Sequence, residues 1–150
     1  MKIKLFLLSM VMGFMTWGCS SGDDSEDSEQ TTAGTEARPT WQVPNYDLYE
    51  QTMTVEVQLQ DALQTYASAN DLMCATVGGE VRGVTSPTRV GDQWWFPLIV
   101  ASNETNVDIQ LSYYCESLHR IFTTNWTTFD ASVAPMGDGG IYKPTFVSME

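Results

Sequence analysis

Between Met53 and Gln60 the chain reads MTVEVQLQ, which sets Met53, Val55, Val57 and Leu59 against Thr54, Glu56, Gln58 and Gln60. VDIQLSYY repeats the pattern, with Val107, Ile109, Leu111 and Tyr113 on one side and Asp108, Gln110 and Ser112 on the other. A period of two over eight residues predicts a strand with one buried face, because successive side chains leave a pleated backbone in opposite directions. Val55, Leu59, Ala62, Leu63, Tyr66 and Ala69 also follow helical spacing, so the first segment divides into a strand to about Gln60 and a helical turn capped by Asp61. LMCATV and EVRGVT flank Gly78 and Gly79, and two adjacent glycines supply the positive φ angles of a tight hairpin. QWWFPLIVAS is apolar on both faces and predicts a buried strand. Pro97 within it has no amide hydrogen to give a ladder, which requires a bulge or a sheet edge there. SNETN is a turn into VDIQLSYY, and shorter strands are predicted at HRIFTT and KPTFVSM, with TTFD between them open between strand and loop. Seven or eight short strands without a long helix predict an all-β chain, an antiparallel β-sandwich over residues 41–150.

Ahead of these strands the pattern is different. Lys2 and Lys4 precede the uncharged run LFLLSMVMGFMTW and then Gly18, the order of a signal peptide over residues 1–18. The run is shorter than the roughly 20 apolar residues of a bilayer-spanning helix. After Cys19 comes SSGDDSEDSEQTTAGTEARPT, which has five acids between Asp23 and Glu29 and almost nothing apolar. Such a composition cannot bury enough surface to offset chain entropy, so residues 19–40 read as a disordered tether.

TWGC, with a small residue directly before the cysteine, resembles the cleavage site of bacterial lipoproteins, although Thr16 and Trp17 stand where Leu and a small residue are usual. That resemblance implies a diacylglyceryl group on Cys19, palmitate-type acyl chains and attachment to the outer membrane. Acids just after the cysteine resemble the export signal of Bacteroidetes surface lipoproteins, which implies the cell surface. Ordinary cleavage at the small-x-small pair Thr16 and Gly18 gives the same cut without lipid. ATVGGEVRGVTSP, an apolar strand, and LSYYCESLHRIFTT are similar to a small β-sandwich module of Bacteroidetes surface and secreted proteins. Ala75, Val77, Gly78, Glu80, Arg82, Gly83, Val84, Leu111, Tyr114 and Ile121 match its pattern, while Thr76 and Val81 depart from it. The resemblance covers about residues 53–147 and implies an accessory module without a defined activity.

The formal net charge is -12, and loss of the two leader lysines takes it to about -14. From Trp41 onward thirteen acids face four bases, Arg82, Arg89, Arg120 and Lys143, which excludes nucleic acid as a partner because phosphate binding needs a basic footprint. With Cys19 set aside, Cys74 and Cys115 form an even pair in an oxidising compartment. A disulfide between them closes a loop of about 40 residues and contributes roughly 3–4 kcal/mol on the chain-entropy model. The alternative is two buried free thiols acting as small apolar residues.

Glu80 and Arg82, two apart on a strand, share a face as an ion pair or as a recognition pair in a groove, and Gly83 beside them permits close backbone approach or marks a bulge. Trp94 and Trp95 point to opposite sides, and Trp126 lies in TTNWTTFD, which reads as a loop. An exposed indole stacks on sugar rings or anchors in a protein partner. His119 is the only histidine, so no His-His or Cys-His metal site can form, and no oxygen-ligand cluster predicts calcium; no cofactor is expected. No nucleophile elbow, phosphate loop, His-Glu-x-x-His or Cys-x-x-Cys occurs. The expectation is a non-enzymatic lipoprotein held in the membrane by its anchor, with a protein partner. The alternative is a glycan-binding module using exposed tryptophans, and a small hydrolase would need a cleft gathering His119 or paired carboxylates.

Overall fold

The computed structural model describes residues 35–131 and 141–148, apart from the side chains of residues 125–127 and 148. The expected leader, Cys19, the expected tether to residue 34 and the expected turn at Asp138 lie outside the described residues.

Alternation in the sequence becomes burial in the fold. In β1 (Gln51–Gln58) Met53, Val55 and Val57 are buried, and in β6 (Asp108–Cys115) so are Ile109, Leu111 and Tyr113. After β1 comes one helical turn, α1 (Asp61–Gln64), whose cap position is Gln60; Asp61 is its first residue and pairs with Lys143 at 2.7 Å instead of capping. β2 (Leu72–Val77) and β3 (Glu80–Thr85) form the expected hairpin, with φ of 58° at Gly78 and 84° at Gly79. β4 (Thr88–Val90), which the sequence pattern did not mark, turns at Gly91 into β5 (Gln93–Ser102). HRIFTT and the start of TTFD merge into one strand, β7 (Arg120–Thr128), preceded by His119 in a turn at φ 47°. β8 (Ile141–Tyr142) and β9 (Val147–Ser148) complete the set, so most of KPTFVSM is not strand.

These elements make two sheets, β4-β5-β1-β8 and β3-β2-β6-β7-β9. Among the described residues the strand pairs are antiparallel except β1 with β8. The chain is therefore an all-β sandwich, as the strand pattern predicts. Phe96, Leu98 and Val100 of β5 join the inward residues of β1, facing Met73, Ala75 and those of β6. Tyr113 is central: its ring meets Phe96 edge-on at 5.6 Å and stacks on Phe122 at 5.9 Å.

Pro97 lies opposite Glu56 on β5, just past the short stretch that β4 covers. By strand parity its nitrogen points to the same side as the carbonyl of Ile99, which accepts from the Tyr46 hydroxyl at 3.4 Å instead of from a neighbouring strand. The proline thus sits at an open sheet edge, where it removes no ladder bond. Gly83 of β3 closes the seam between the sheets there. A Cβ at that position would meet the Ile99 carbonyl oxygen at 2.1 Å. The β2–β3 register also shifts beside it, leaving Arg82 without a cross-strand partner as the extra residue of a bulge.

The sandwich has a helix end, with α1 and the β6–β7 turn, and a hairpin end, with Gly78 and Gly79. The last residues of the expected tether are docked at the helix end. The Glu36 amide donates to the His119 carbonyl at 2.7 Å, and its carboxylate accepts from the Ile121 amide. Arg38 donates to the Asn70 carbonyl and pairs with Glu116 at 2.8 Å, so chain with fixed partners begins before residue 40.

Candidate functional site

From Glu36 the chain crosses the outward side of the five-stranded sheet to the hairpin end, forming a strap over residues 36–49. Trp41, Pro44, Tyr46 and Tyr49 are half-buried in it, with exposed residues between them. The Arg38 guanidinium lies 5.8 Å above the Tyr114 ring. A short 3₁₀ turn, Tyr46–Leu48, is started by the Asn45 side chain, which accepts from the Asp47 amide, and it delivers Tyr49 to β3.

There the strap meets the pair singled out in the sequence. Arg82 Nη2 lies 3.0 Å from Glu80 Oε2, and the Tyr49 hydroxyl donates to Glu80 Oε1 at 3.3 Å. The Arg82 guanidinium carbon stacks 4.7 Å over the Tyr49 ring. Glu80 remains 64 % exposed against 16 % for Arg82, so the ion pair is half-screened and contributes at most about 1 kcal/mol. Arg82 Nε is buried without a hydrogen-bond partner. Both sequence readings of Gly83 are realised, since it permits close approach of a backbone and it borders a bulge. The recognition-pair reading meets an obstacle, because the chain's own Tyr49 already occupies the cationic face of Arg82.

The cysteines are apart. Cys74 stands opposite Ser112 in the β2–β6 ladder, while Cys115 lies three residues beyond Ser112. An odd offset puts the two side chains on opposite faces, and three residues of rise separate the Cα atoms by roughly 11 Å, beyond the reach of a disulfide. Both are buried free thiols, so the expected bridge is corrected to its alternative. Cys74 faces the strap, its thiol pushed up to about 12 by burial. Cys115 belongs to the core, and burial raises its thiol as well.

The tryptophans divide as their alternation predicts. Trp94 shares parity with Phe96 and is half-buried at the rim of the core; Gln64 holds its backbone through two bonds of 2.9 Å, and Arg89 stacks 5.7 Å from its ring. Trp95 faces outward on the four-stranded sheet, half-buried, with its indole Nε1 buried and unpartnered. Trp126 is within β7 and not in a loop, at a register shift against β6, and its side chain lies outside the described residues. Trp94 and Trp95 therefore form no common platform.

One buried carboxylate was not legible as special. Asp71, 0 % exposed, accepts from the Ser68 amide and hydroxyl at 3.0 and 2.8 Å, the Tyr113 hydroxyl at 2.6 Å and the Glu116 amide at 3.0 Å. Four donors saturate the carboxylate and tie the loop after α1 to β6. Burial and the adjoining Asp71 push the Tyr113 hydroxyl up from its ordinary value. The local sequence SAND carries a turn signal, Ser68 with Asp71 three residues on, but nothing local says that it is buried.

Elsewhere the outward face of the four-stranded sheet is open: Pro97 is exposed, and Val90 and Ile99 are 47 % and 42 % exposed. Among the described residues no group of three His, Cys, Asp or Glu side chains could hold a metal ion, and no helix is long and apolar enough to cross a membrane. No family model, curated protein or solved structure matches the chain, so its geometry and its residues alone carry the functional reading.

Proposed function

We propose that the chain is a non-enzymatic lipoprotein of the outer membrane, exposed at the cell surface, in which Cys19 carries the lipid and the β-sandwich is an accessory interaction module. The observation that carries this reading is the position of Cys19, directly after an apolar run of signal-peptide size and directly before an acidic block. A single acyl chain holds a protein only marginally, so stable residence calls for several chains on that residue. The described residues support the interaction half of the reading. Sixteen residues, 20–35, separate the anchor from the first docked side chain, a reach of at most about 55 Å. The buried Asp71 carboxylate and Tyr113 hydroxyl are committed to each other and the strap lies over the five-stranded sheet, which leaves the outward face of the four-stranded sheet as the surface for contact.

Intact mass of the mature protein extracted from cell membranes tests the anchor. The expected result is a chain beginning at Cys19 with the added mass of diacylglyceryl and a further acyl group. A chain beginning at unmodified Cys19 that partitions into buffer without detergent overturns it.

A further inference from the structure

From the four-stranded sheet we infer a self-association surface: its outward face docks onto the same face of a second copy of this chain, about a twofold axis. Strand parity puts Thr52, Thr54, Glu56 and Gln58 of β1 on that face opposite Ala101, Ile99, Pro97 and Trp95 of β5, of which Ala101 is buried and contributes no surface. β4 adds Thr88 and Val90, and β8 adds Ile141 beside Glu56. Glu56 is the single charged residue in this set. Elsewhere the described domain is strongly acidic, with Asp47, Glu50, Glu80, Glu104 and Asp108 all toward the hairpin end.

Two molecules without the leader, each of formal charge about -14, repel wherever their acidic surfaces approach. The face with one charge is where a second copy meets the least repulsion, and it is also where Val90, Pro97 and Ile99 stand in water. Depletion of charge around an apolar centre is the composition of an interface core. The corresponding face of the other sheet is closed to a partner by the strap. A face built mainly from two strands of eight and ten residues has a footprint of about 400–500 Å² per copy, or about 800–1,000 Å² in the pair, at or just under the lower limit for a specific interface. The dimer is accordingly weak. Tethering both copies to one surface would raise their effective concentration, but the contact does not depend on the anchor.

Sedimentation equilibrium on residues 20–150, which include every described residue, tests this from about 5 to about 500 µM at low and high salt. The expected result is a monomer–dimer transition within that range that tightens as salt rises, because salt screens the like charges and does not weaken an apolar contact. Ile99→Lys, at an exposed position, should move the midpoint upward about tenfold or more. Should that variant lose its circular-dichroism signature, Thr54→Lys, at the exposed cross-strand partner, applies the same charge. Leu48→Lys, on the strap and 69 % exposed, should leave the midpoint unchanged. A monomer at every concentration and salt overturns the inference and leaves the face to another occupant, such as a neutral glycan. A dimer broken by Leu48→Lys and not by Ile99→Lys overturns it equally.

Discussion

On the outward side of the five-stranded sheet Tyr114 and Cys74 are each 1 % exposed, whereas on the outward side of the four-stranded sheet Ile99 is 42 % exposed. Both faces are built by the same alternation, and both carry apolar residues. They differ in what the rest of the chain does. The strap anchors at Glu36 and Arg38 and again at Tyr46 and Tyr49, turning an outward face into a second, thin layer of core. Among the described residues no comparable segment covers Val90 or Ile99, which are 47 % and 42 % exposed. An outward face of a sandwich is thus covered or open according to a segment remote in sequence, and the open one is the surface with contacts left to make.

The contrast can be broken at its supports. Asp71→Ala is expected to have the largest effect, a loss of about 4 kcal/mol, because it leaves the hydroxyls of Tyr113 and Ser68 and the amides of Ser68 and Glu116 without their acceptor inside the fold. Urea unfolding measures it, and a loss below 1 kcal/mol would mean the carboxylate is not the pin described here. Next is Gly83→Ala, expected to cost about 3 kcal/mol. The clash at 2.1 Å is with backbone, so β3 must part from β5 and the seam between the two sheets opens. Thermal and urea midpoints should fall together.

Smaller changes sharpen the comparison without unfolding either sheet. Arg38→Ala removes a half-exposed ion pair and a cation–π contact, at most about 1 kcal/mol, which raises the open population of the strap by up to about fivefold. The rate at which a thiol reagent labels Cys74 should rise by that factor while Cys115, on the core side, labels no faster. Equal acceleration at both would show that opening is global. The smallest effect at accessible pH comes from the buried thiol. In the unfolded chain Cys74 ionises near 9.0, while burial holds it protonated to about 12 in the fold. Between those values the unfolded state gives up its proton first. Stability is therefore complete below pH 9, lower by about 0.4 kcal/mol at pH 9, and falls further toward pH 12. Tyr113 and Cys115 are raised in the same direction and add to the decline. Cys74→Ala should flatten the slope measured by thermal melts across pH 8–11, and an unchanged slope would remove Cys74 as a contributor.

Much of the fold could be read from local pattern, because the signals involved are local. The periods of β1 and β6, the Gly78–Gly79 hairpin and the ends of β5 each depend on residues within ten positions of one another. Two paired glycines need only their own φ angles to make a turn. The proline at 97 told of a bulge or an edge for the same reason, since a missing amide is a property of the residue itself, and the fold chose the edge. β4 was not visible because three residues show no period. The merging of HRIFTT with TTFD escaped because Asn125, Trp126 and Thr127 are polar or isolated among polar neighbours, and what joins the two segments is the pairing of Asn125 and Thr128 with β6 on either side of a register shift.

The candidate site was legible only in its ingredients. Glu80, Arg82 and Gly83 stand out in EVRGVT, but that Tyr49 closes over them depends on a contact thirty-one residues away. Cys74 and Cys115 count as a pair in the sequence and lie on neighbouring strands in the fold, yet the odd offset of the β2–β6 register turns them apart. Composition and alternation by themselves determined the class of fold, its acidic character and the apolar N-terminal run that precedes Cys19, because each is a sum or a period over nearby residues. The tertiary structure alone decided that Asp71 is buried, that the thiols stay free and that one sheet is covered while the other is open. Those outcomes rest on register and on contacts between distant segments, and neither leaves a periodic trace along the chain.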